Sequence, residues 1–262
     1  MVIGSGMAER YHQRFFQMVD LPKDTSLVNE TDQTAGFNIA GPLARDALQR
    51  LTNEDLSNDA FRFMRSRRMK VAGVDVLALR VSFTGSLGWE LHCNETDQVK
   101  LYEALLDVAS HLGGGAVGSR ALGSLRIEKG YGSWGREYSQ EYWPQEVGLS
   151  GLIKPDKDFL HKDAYLSVKD NPPREVLCVF EMEAGRADAS GGEPIFTPDG
   201  QAVGRVTSGA YGYHVEKSLA LGFANPQVAG PGNMVEIFVL GQPHKARILQ
   251  PRSRNGTGSK MS

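Results

Sequence analysis

From residue 175 to residue 249 the chain reads as short apolar runs, at 176–182, 202–207, 218–223, 234–239 and 245–249, parted by turns that carry glycine or proline. Runs this short and this regularly spaced constrain that part of the chain to a small antiparallel barrel or sandwich. Upstream the pattern mixes helix and strand periods, so the class is α+β: a body of mixed sheets with helices over residues 1–172, then a C-terminal β-barrel over 173–250. The texture changes around Pro144, and Pro155, Pro172 and Pro173 punctuate a linker-like stretch holding one short helix near 161–166. The tail over 251–262, with Arg252-Ser253-Arg254-Asn255-Gly256, has nothing to bury and is expected to be disordered.

The body starts abruptly. Met1-Val2-Ile3 reads as the end of a strand with no turn before it, and Gly4-Ser5-Gly6 follows at once, ahead of a helix-like stretch over 9–18. A strand that short at a terminus has little to pair with, so the start is expected to be cut from a longer element. Gly4-x-Gly6 does not make a dinucleotide loop, because Glu9 stands where the third glycine should be and its carboxylate would repel a pyrophosphate. A strand is expected over 34–40, ended by Gly41-Pro42. Pro42 suits the first turn of a helix, whose apolar face carries Leu43, Ala47, Leu48 and Leu51. Strands over 69–72 and 74–83 join at Gly73. A helix bearing Leu101, Leu105 and Leu106 opens at Thr96-Asp97, and another covers 119–129.

Charge and composition exclude several function classes. With 29 basic and 31 acidic residues the net charge is −2, which gives no global drive toward nucleic acid or an anionic membrane. Arg62, Arg65, Arg67 and Arg68 cluster, but Asp55 and Asp59 lie nearby, and a solvated edge is the preferred reading. No apolar run approaches membrane-spanning length. Cys93 and Cys178 have no zinc spacing and no disulfide framework, which fits a reducing compartment and a cytoplasmic location. The histidines, at 12, 92, 111, 161, 214 and 244, form no metal pair, and no Gly-x-Ser-x-Gly elbow occurs. No metal site is expected.

The most informative stretch is Phe83-Thr84-Gly85-Ser86-Leu87-Gly88-Trp89-Glu90-Leu91, a strand that runs into a glycine-bearing turn and returns carrying an aromatic beside a carboxylate. Gly85 and Gly88 permit a tight reversal or a close backbone approach to a flat ligand. On spacing alone this is a hairpin with Glu90 exposed and Trp89 in the core. Thr84-Gly85-x-x-Gly88-Trp89-Glu90, however, resembles the T-G-x-x-G-[FW]-E signature of the glycine-cleavage T-protein (aminomethyltransferase) family. Further landmarks of that family follow in order. They are Gly41-Pro42-x-Ala44, Leu125-Arg126-Ile127-Glu128, Pro144-x-Glu146-x-Gly148-Leu149, Lys157-x-Phe159-x-x-Lys162-x-Ala164 and Val203-Gly204-x-Val206-Thr207-Ser208-Gly209.

The resemblance implies a folate-binding body, a C-terminal barrel and tetrahydrofolate as cofactor. A pterin edge offers two adjacent donors, and Glu90 matches the family glutamate that accepts both. Tyr131 matches a family tyrosine near the folate. Trp134 is placed for the same pocket or for the core, Phe83 replaces a tyrosine common in the family, and Arg126 completes the cofactor-binding set. Trp89 is expected in the core, since strand alternation sends Glu90 to the other face. Gly88-Trp89-Glu90, the run 125–131 and Trp134-Gly135-Arg136 lean toward the folate domains fused to FAD-dependent dimethylglycine and sarcosine dehydrogenases. On that branch the one-carbon donor is an oxidised N-methylamine, the product is 5,10-methylenetetrahydrofolate, and any FAD belongs to a fused or partner domain. The family's catalytic aspartate lies in a G-G-I-x-D-D segment that would precede Met1, so no catalytic residue is expected in this chain. Three readings stay open: a piece of such a dehydrogenase, a folate-binding module that works with a partner, or a structural subunit of an amine-oxidising complex.

Overall fold

A computed structural model describes residues 8–183 and 187–249. The expected strand at Met1-Val2-Ile3, the Gly4–Gly6 turn and the tail beyond Pro251 lie outside those residues. The chain forms two compact units that divide between Leu122 and Gly123, so residue 172 falls within the second of them.

The first unit holds α1 (Ala8–Gln17), β1 (Thr34–Ala40), α2 (Ala44–Gln49), β2 (Ser66–Val71), β3 (Val74–Leu79), β4 (Gly88–Asn94) and α3 (Gln98–His111). Its strands make one antiparallel sheet in the order β1-β4-β3-β2. Ala72 and Gly73, both at positive φ (51° and 74°), form the two-residue turn that the twist of a β2–β3 hairpin favours. Alternation then sorts the side chains. Met69, Val71, Val74, Val76, Ala78, Trp89, Leu91 and Cys93 form one core with Ala44 and Leu48 of α2 and Leu101 and Leu105 of α3.

Two expectations need correction here. The strand expected to run to residue 83 stops at Leu79: the Arg80 backbone still bonds Arg65 and Met64, and the Val81 N–H then turns back to the Leu79 carbonyl at 3.1 Å. The buried Arg80 guanidinium donates to the Phe61 carbonyl and to Asn58 Oδ1, anchoring the preceding loop. The helix expected to open at Thr96-Asp97 begins at Gln98. Asn94 accepts from the Thr96 N–H at 3.0 Å and caps a 3₁₀ turn first.

The second unit continues α4 (Ser119–Glu128), then has α5 (Lys162–Val168) and β5 (Val176–Met182), β6 (Pro194–Phe196), β7 (Ala202–Gly212), β8 (Lys217–Ala224), β9 (Met234–Val239) and β10 (Gln242–Leu249). The strands close into an antiparallel barrel, β10-β5-β8-β7-β6-β9, whose last and first strands also pair. Closure leaves no free sheet edge. Phe180, Met182, Ile195, Val206, Ala220, Val235, Ile237, Val239 and Ile248 fill it. β6 escapes the sequence pattern because it is short and starts on a proline. β7 runs five residues beyond its expected end, across a bulge between Val206 and Ser208. Gly204 and Gly222 allow β7 and β8 to approach: a Cβ on Gly204 would stand 2.1 Å from the Phe223 carbonyl oxygen.

Glu146 ties the segment before the barrel together. Its buried carboxylate accepts from the Trp143 and Arg174 N–H groups and from the Arg174 guanidinium at 2.8 to 3.0 Å. The Arg174 side chain, together with these N–H groups, holds the carboxyl down at about 2 against an ordinary 4.5. A folded-state value below the unfolded one stabilises the fold above pH 4.5, and that contribution fades as the pH falls toward 2. Glu146→Gln is therefore expected to cost about 1–3 kcal/mol near neutrality. Urea unfolding across a pH series should show its gap from wild type closing in acid, and a gap independent of pH would overturn the account.

Candidate functional site

In the first unit the period of β4 places Glu90. Trp89 and Leu91 are fully buried on the core side, so Glu90 and His92 point to the opposite face. Glu90 stands across from Asn38 of β1 and Leu79 of β3, and its side chain is 33% exposed. His92 Nε2 lies 3.6 Å from Glu90 Oε2 and has no hydrogen-bond partner although it is buried. Among the described residues no lysine or arginine pairs with Glu90, and its nearest charged-group neighbour is the His92 ring.

The turn before β4 sets this position. Gly85 takes φ +70°, which a β-carbon would strain, while Thr84 is buried and Phe83 half-buried. Gly88 serves the sheet: a Cβ there would sit 2.6 Å from the Ile39 carbonyl oxygen, and the Gly41 N–H bonds the Leu87 carbonyl beside it at 2.9 Å. The close backbone approach at this glycine is thus to β1.

The second unit carries Arg126, Tyr131 and Trp134. α4 ends in a Schellman motif, with Gly130 at φ +68°, its N–H on the Ile127 carbonyl and the Tyr131 N–H on the Arg126 carbonyl. The Arg126 guanidinium returns to the Tyr131 carbonyl at 2.9 Å, so one residue grips Tyr131 at both of its backbone polar groups. Nη1 also donates to Glu137 Oε2 at 3.2 Å and Nη2 to Ser208 Oγ at 2.6 Å. Arg126 is buried, and both of its terminal nitrogens are bonded inside the protein.

Glu137, which sequence reasoning missed, is the centre of this cluster. It is fully buried and accepts from the Ser133 N–H, from Thr207 Oγ1 and Ser208 Oγ at 2.6 Å each, and from Arg126. Burial alone would raise its pKa, but the Ser133, Ser208 and Thr207 bonds and the Arg126 charge hold the carboxyl below its ordinary value. Neighbouring strand residues normally face opposite sides. The β7 bulge leaves Thr207 unpaired between Val206 and Ser208, and both hydroxyls reach one carboxylate. Tyr131 is half-buried and Trp134 is 39% exposed.

A separate open groove of about 900 Å3 in the first unit is lined by residues including Arg50, Glu54, Arg68, Lys70 and Asp75 and does not include Glu90. Lys70 and Asp75 pair there at 2.8 Å. Among the described residues no group of His, Cys, Asp and Glu is placed to hold a metal ion, and no helix is long and apolar enough to cross a membrane.

Family models match most of the chain: the GCVT N-terminal domain over residues 1–157 and the glycine cleavage T-protein C-terminal barrel domain over 176–252. Human mitochondrial dimethylglycine dehydrogenase is 37% identical over 229 residues, which is 87% of this chain and 26% of that protein. Human mitochondrial sarcosine dehydrogenase is 33% identical, covering 81% of the chain and 23% of the relative. The aminomethyltransferase of Caldanaerobacter subterraneus subsp. tengcongensis is also 33% identical, covering 84% of the chain and 59% of the relative. The chain thus spans about a quarter of the dehydrogenases and under two thirds of that aminomethyltransferase. The crystal structure of the glycine cleavage system aminomethyltransferase T from Bartonella henselae shares the fold, with a TM-score of 0.73 at 22% identity, over 83% of this chain and 59% of that one.

The sheet geometry gives a direct test of Gly88. Gly88→Ala is expected to force β1 and β4 apart and cost about 1–3 kcal/mol. A urea unfolding midpoint equal to that of wild type would contradict the contact with Ile39.

Proposed function

The chain belongs to the glycine-cleavage T-protein (aminomethyltransferase) family, and from that premise we propose that it binds tetrahydrofolate and serves one-carbon transfer from an N-methylamine of the dimethylglycine or sarcosine type. The observation that carries this reading is Glu90, a carboxylate on a sheet face, 33% exposed, whose one charged-group neighbour among the described residues is the His92 ring at 3.6 Å, with no lysine or arginine paired to it. Such a group fits the N–H and amino donors on one edge of a pterin, and a bidentate, charge-assisted pair fixes the ring's orientation. In this reading Tyr131 and Trp134 offer aromatic faces to a planar ligand, and Phe83 adds apolar surface without the hydroxyl of a tyrosine. Arg126 serves indirectly, through its hold on Tyr131.

Tetrahydrofolate, when bound, supplies the nitrogens that take up the one-carbon unit as 5,10-methylenetetrahydrofolate. The chain's contribution is to hold that acceptor in one orientation and exclude water, an effect that rests on proximity. The leaning toward a methylamine donor is supported by Gly88-Trp89-Glu90 and by the two dehydrogenases among the relatives. FAD, on this reading, sits in a fused or partner dehydrogenase domain. The division near residue 172 lies between the two matched family segments, and the cytoplasmic location rests on the unpaired thiols Cys93 and Cys178. A binding-only role is the second reading. It is favoured by the nature of the contacts, since Glu90, Tyr131, Trp134 and Phe83 supply orientation and stacking and leave proton transfer unassigned.

Calorimetric titration with tetrahydrofolate is expected to show binding that Glu90→Ala weakens by about ten- to a hundredfold, the worth of a charge-assisted hydrogen-bond pair. Equal affinity for the two proteins would overturn the folate reading. Formation of 5,10-methylenetetrahydrofolate from an oxidised methylamine then separates the catalytic role from the binding-only one.

A further inference from the structure

We infer that Glu137, clasped by Thr207 and Ser208 at the β7 bulge, is a positioning residue that sets where Tyr131 and Trp134 stand for a planar ligand; the ligand's identity rests on the folate reading above. The loop from Gly130 to Tyr138 has no regular ladder to shape it. Its form comes from bonds that converge on Glu137 and its neighbours. Glu137 Oε2 takes the Ser133 N–H at 2.8 Å, and the Gly132 N–H donates to the Tyr138 hydroxyl at 3.0 Å. The Gly135 N–H bonds the Tyr138 carbonyl at 2.9 Å, and the Tyr138 N–H bonds that of Ser133 at 3.1 Å. A Cβ on Gly132 would stand 2.7 Å from Glu137 Cβ and from the Tyr138 ring, so the loop is packed directly onto this pair.

The clasp comes from the barrel. Thr207 has one hydroxyl proton; it goes to Glu137 at 2.6 Å, the shorter contact, and because Thr207 sits in the β7 bulge this bond ties the loop to the barrel. Ser208 Oγ lies 2.6 Å from both Glu137 Oε1 and Arg126 Nη2. Arg126 in turn holds the Tyr131 carbonyl. The chain of contacts therefore runs from barrel bulge to Glu137, then to Ser133 beside Trp134, and through Arg126 to Tyr131. Every buried polar group in it is satisfied, and such a network holds one geometry rather than several.

Thr207→Val removes one hydroxyl at nearly constant volume, and Thr207→Ser keeps it. Both are made in a Trp143→Phe background, so that Trp134 is the exposed tryptophan and Trp89 the buried one. Thr207→Val is expected to raise acrylamide quenching of Trp134 and weaken tetrahydrofolate binding about tenfold, while Thr207→Ser retains wild-type values. Glu137→Gln is expected to move both readouts in the same direction if it folds. Unchanged quenching and affinity in Thr207→Val would overturn the inference. So would a loss of thermal stability alone, which marks a purely structural role, or a Thr207→Ser that behaves like the valine variant. If wild type binds no tetrahydrofolate, or Glu90→Ala binds it equally well, the folate reading fails, and the quenching comparison still decides whether the clasp places the loop.

Discussion

A carboxylate taken fully out of water must find donors or give up its charge, and Glu137 finds them. Its donors come from places far apart in sequence: the end of α4, the loop after it and the bulge of β7. None of these partners is optional, because removing one leaves a buried charge short of a bond, at a cost well above the net worth of that bond. The second unit thus depends on one ion whose satisfaction requires helix end, loop and barrel to be formed together. The bulge is part of the same requirement, since a regular strand would turn one of the two hydroxyls away.

The first unit is organised by a simpler constraint, the two-residue period of a strand. In β4 that period gives Trp89 and Leu91 to the core and Glu90 and His92 to the other face. Moving the register by one residue would bury Glu90 and expose Trp89. Gly88 fixes the register at the start of the strand by its closeness to Ile39, and Gly85 supplies the reversal before it. The position of a candidate ligand group therefore follows from core packing on the opposite face.

The parts of this structure that were legible in the sequence are those with a repeating pattern. The barrel strands follow from short apolar runs between turns, and the burial of Trp89 and the opposite facing of Glu90 follow from alternation. β6 was not legible because its few residues carry no period. The end of β3 was misplaced because the apolar run through Val81 and Phe83 reads as strand, whereas the Val81 N–H turns back onto the Leu79 carbonyl. Glu137 had no signal at all. It lies in an irregular loop, and what makes it important is the convergence of residues seventy positions away, which no local window contains. His92 had a weak signal, standing two residues after Glu90 and so on the same face.

Several of the family landmarks prove to be structural. Thr207 and Ser208 of the barrel landmark serve Glu137, Glu146 of its own landmark holds Arg174, and Glu128 at the end of α4 accepts the His214 N–H at 3.0 Å. Gly88 spaces two strands. In this chain these groups are engaged with other protein groups, in packing or in hydrogen bonds. Glu90 differs from the other three carboxylates in one physical respect: no protein N–H or hydroxyl donor is hydrogen-bonded to it among the described residues, and its neighbour His92, 3.6 Å away, has no hydrogen bond at Nε2. Exposure to water accounts for this at Glu90, while the buried His92 nitrogen faces the Glu90 carboxylate as its nearest charged group. On the sheet face opposite the core, Glu90 and His92 thus stand as a loose pair with no closer protein donor, which is the physical ground on which the folate proposal rests.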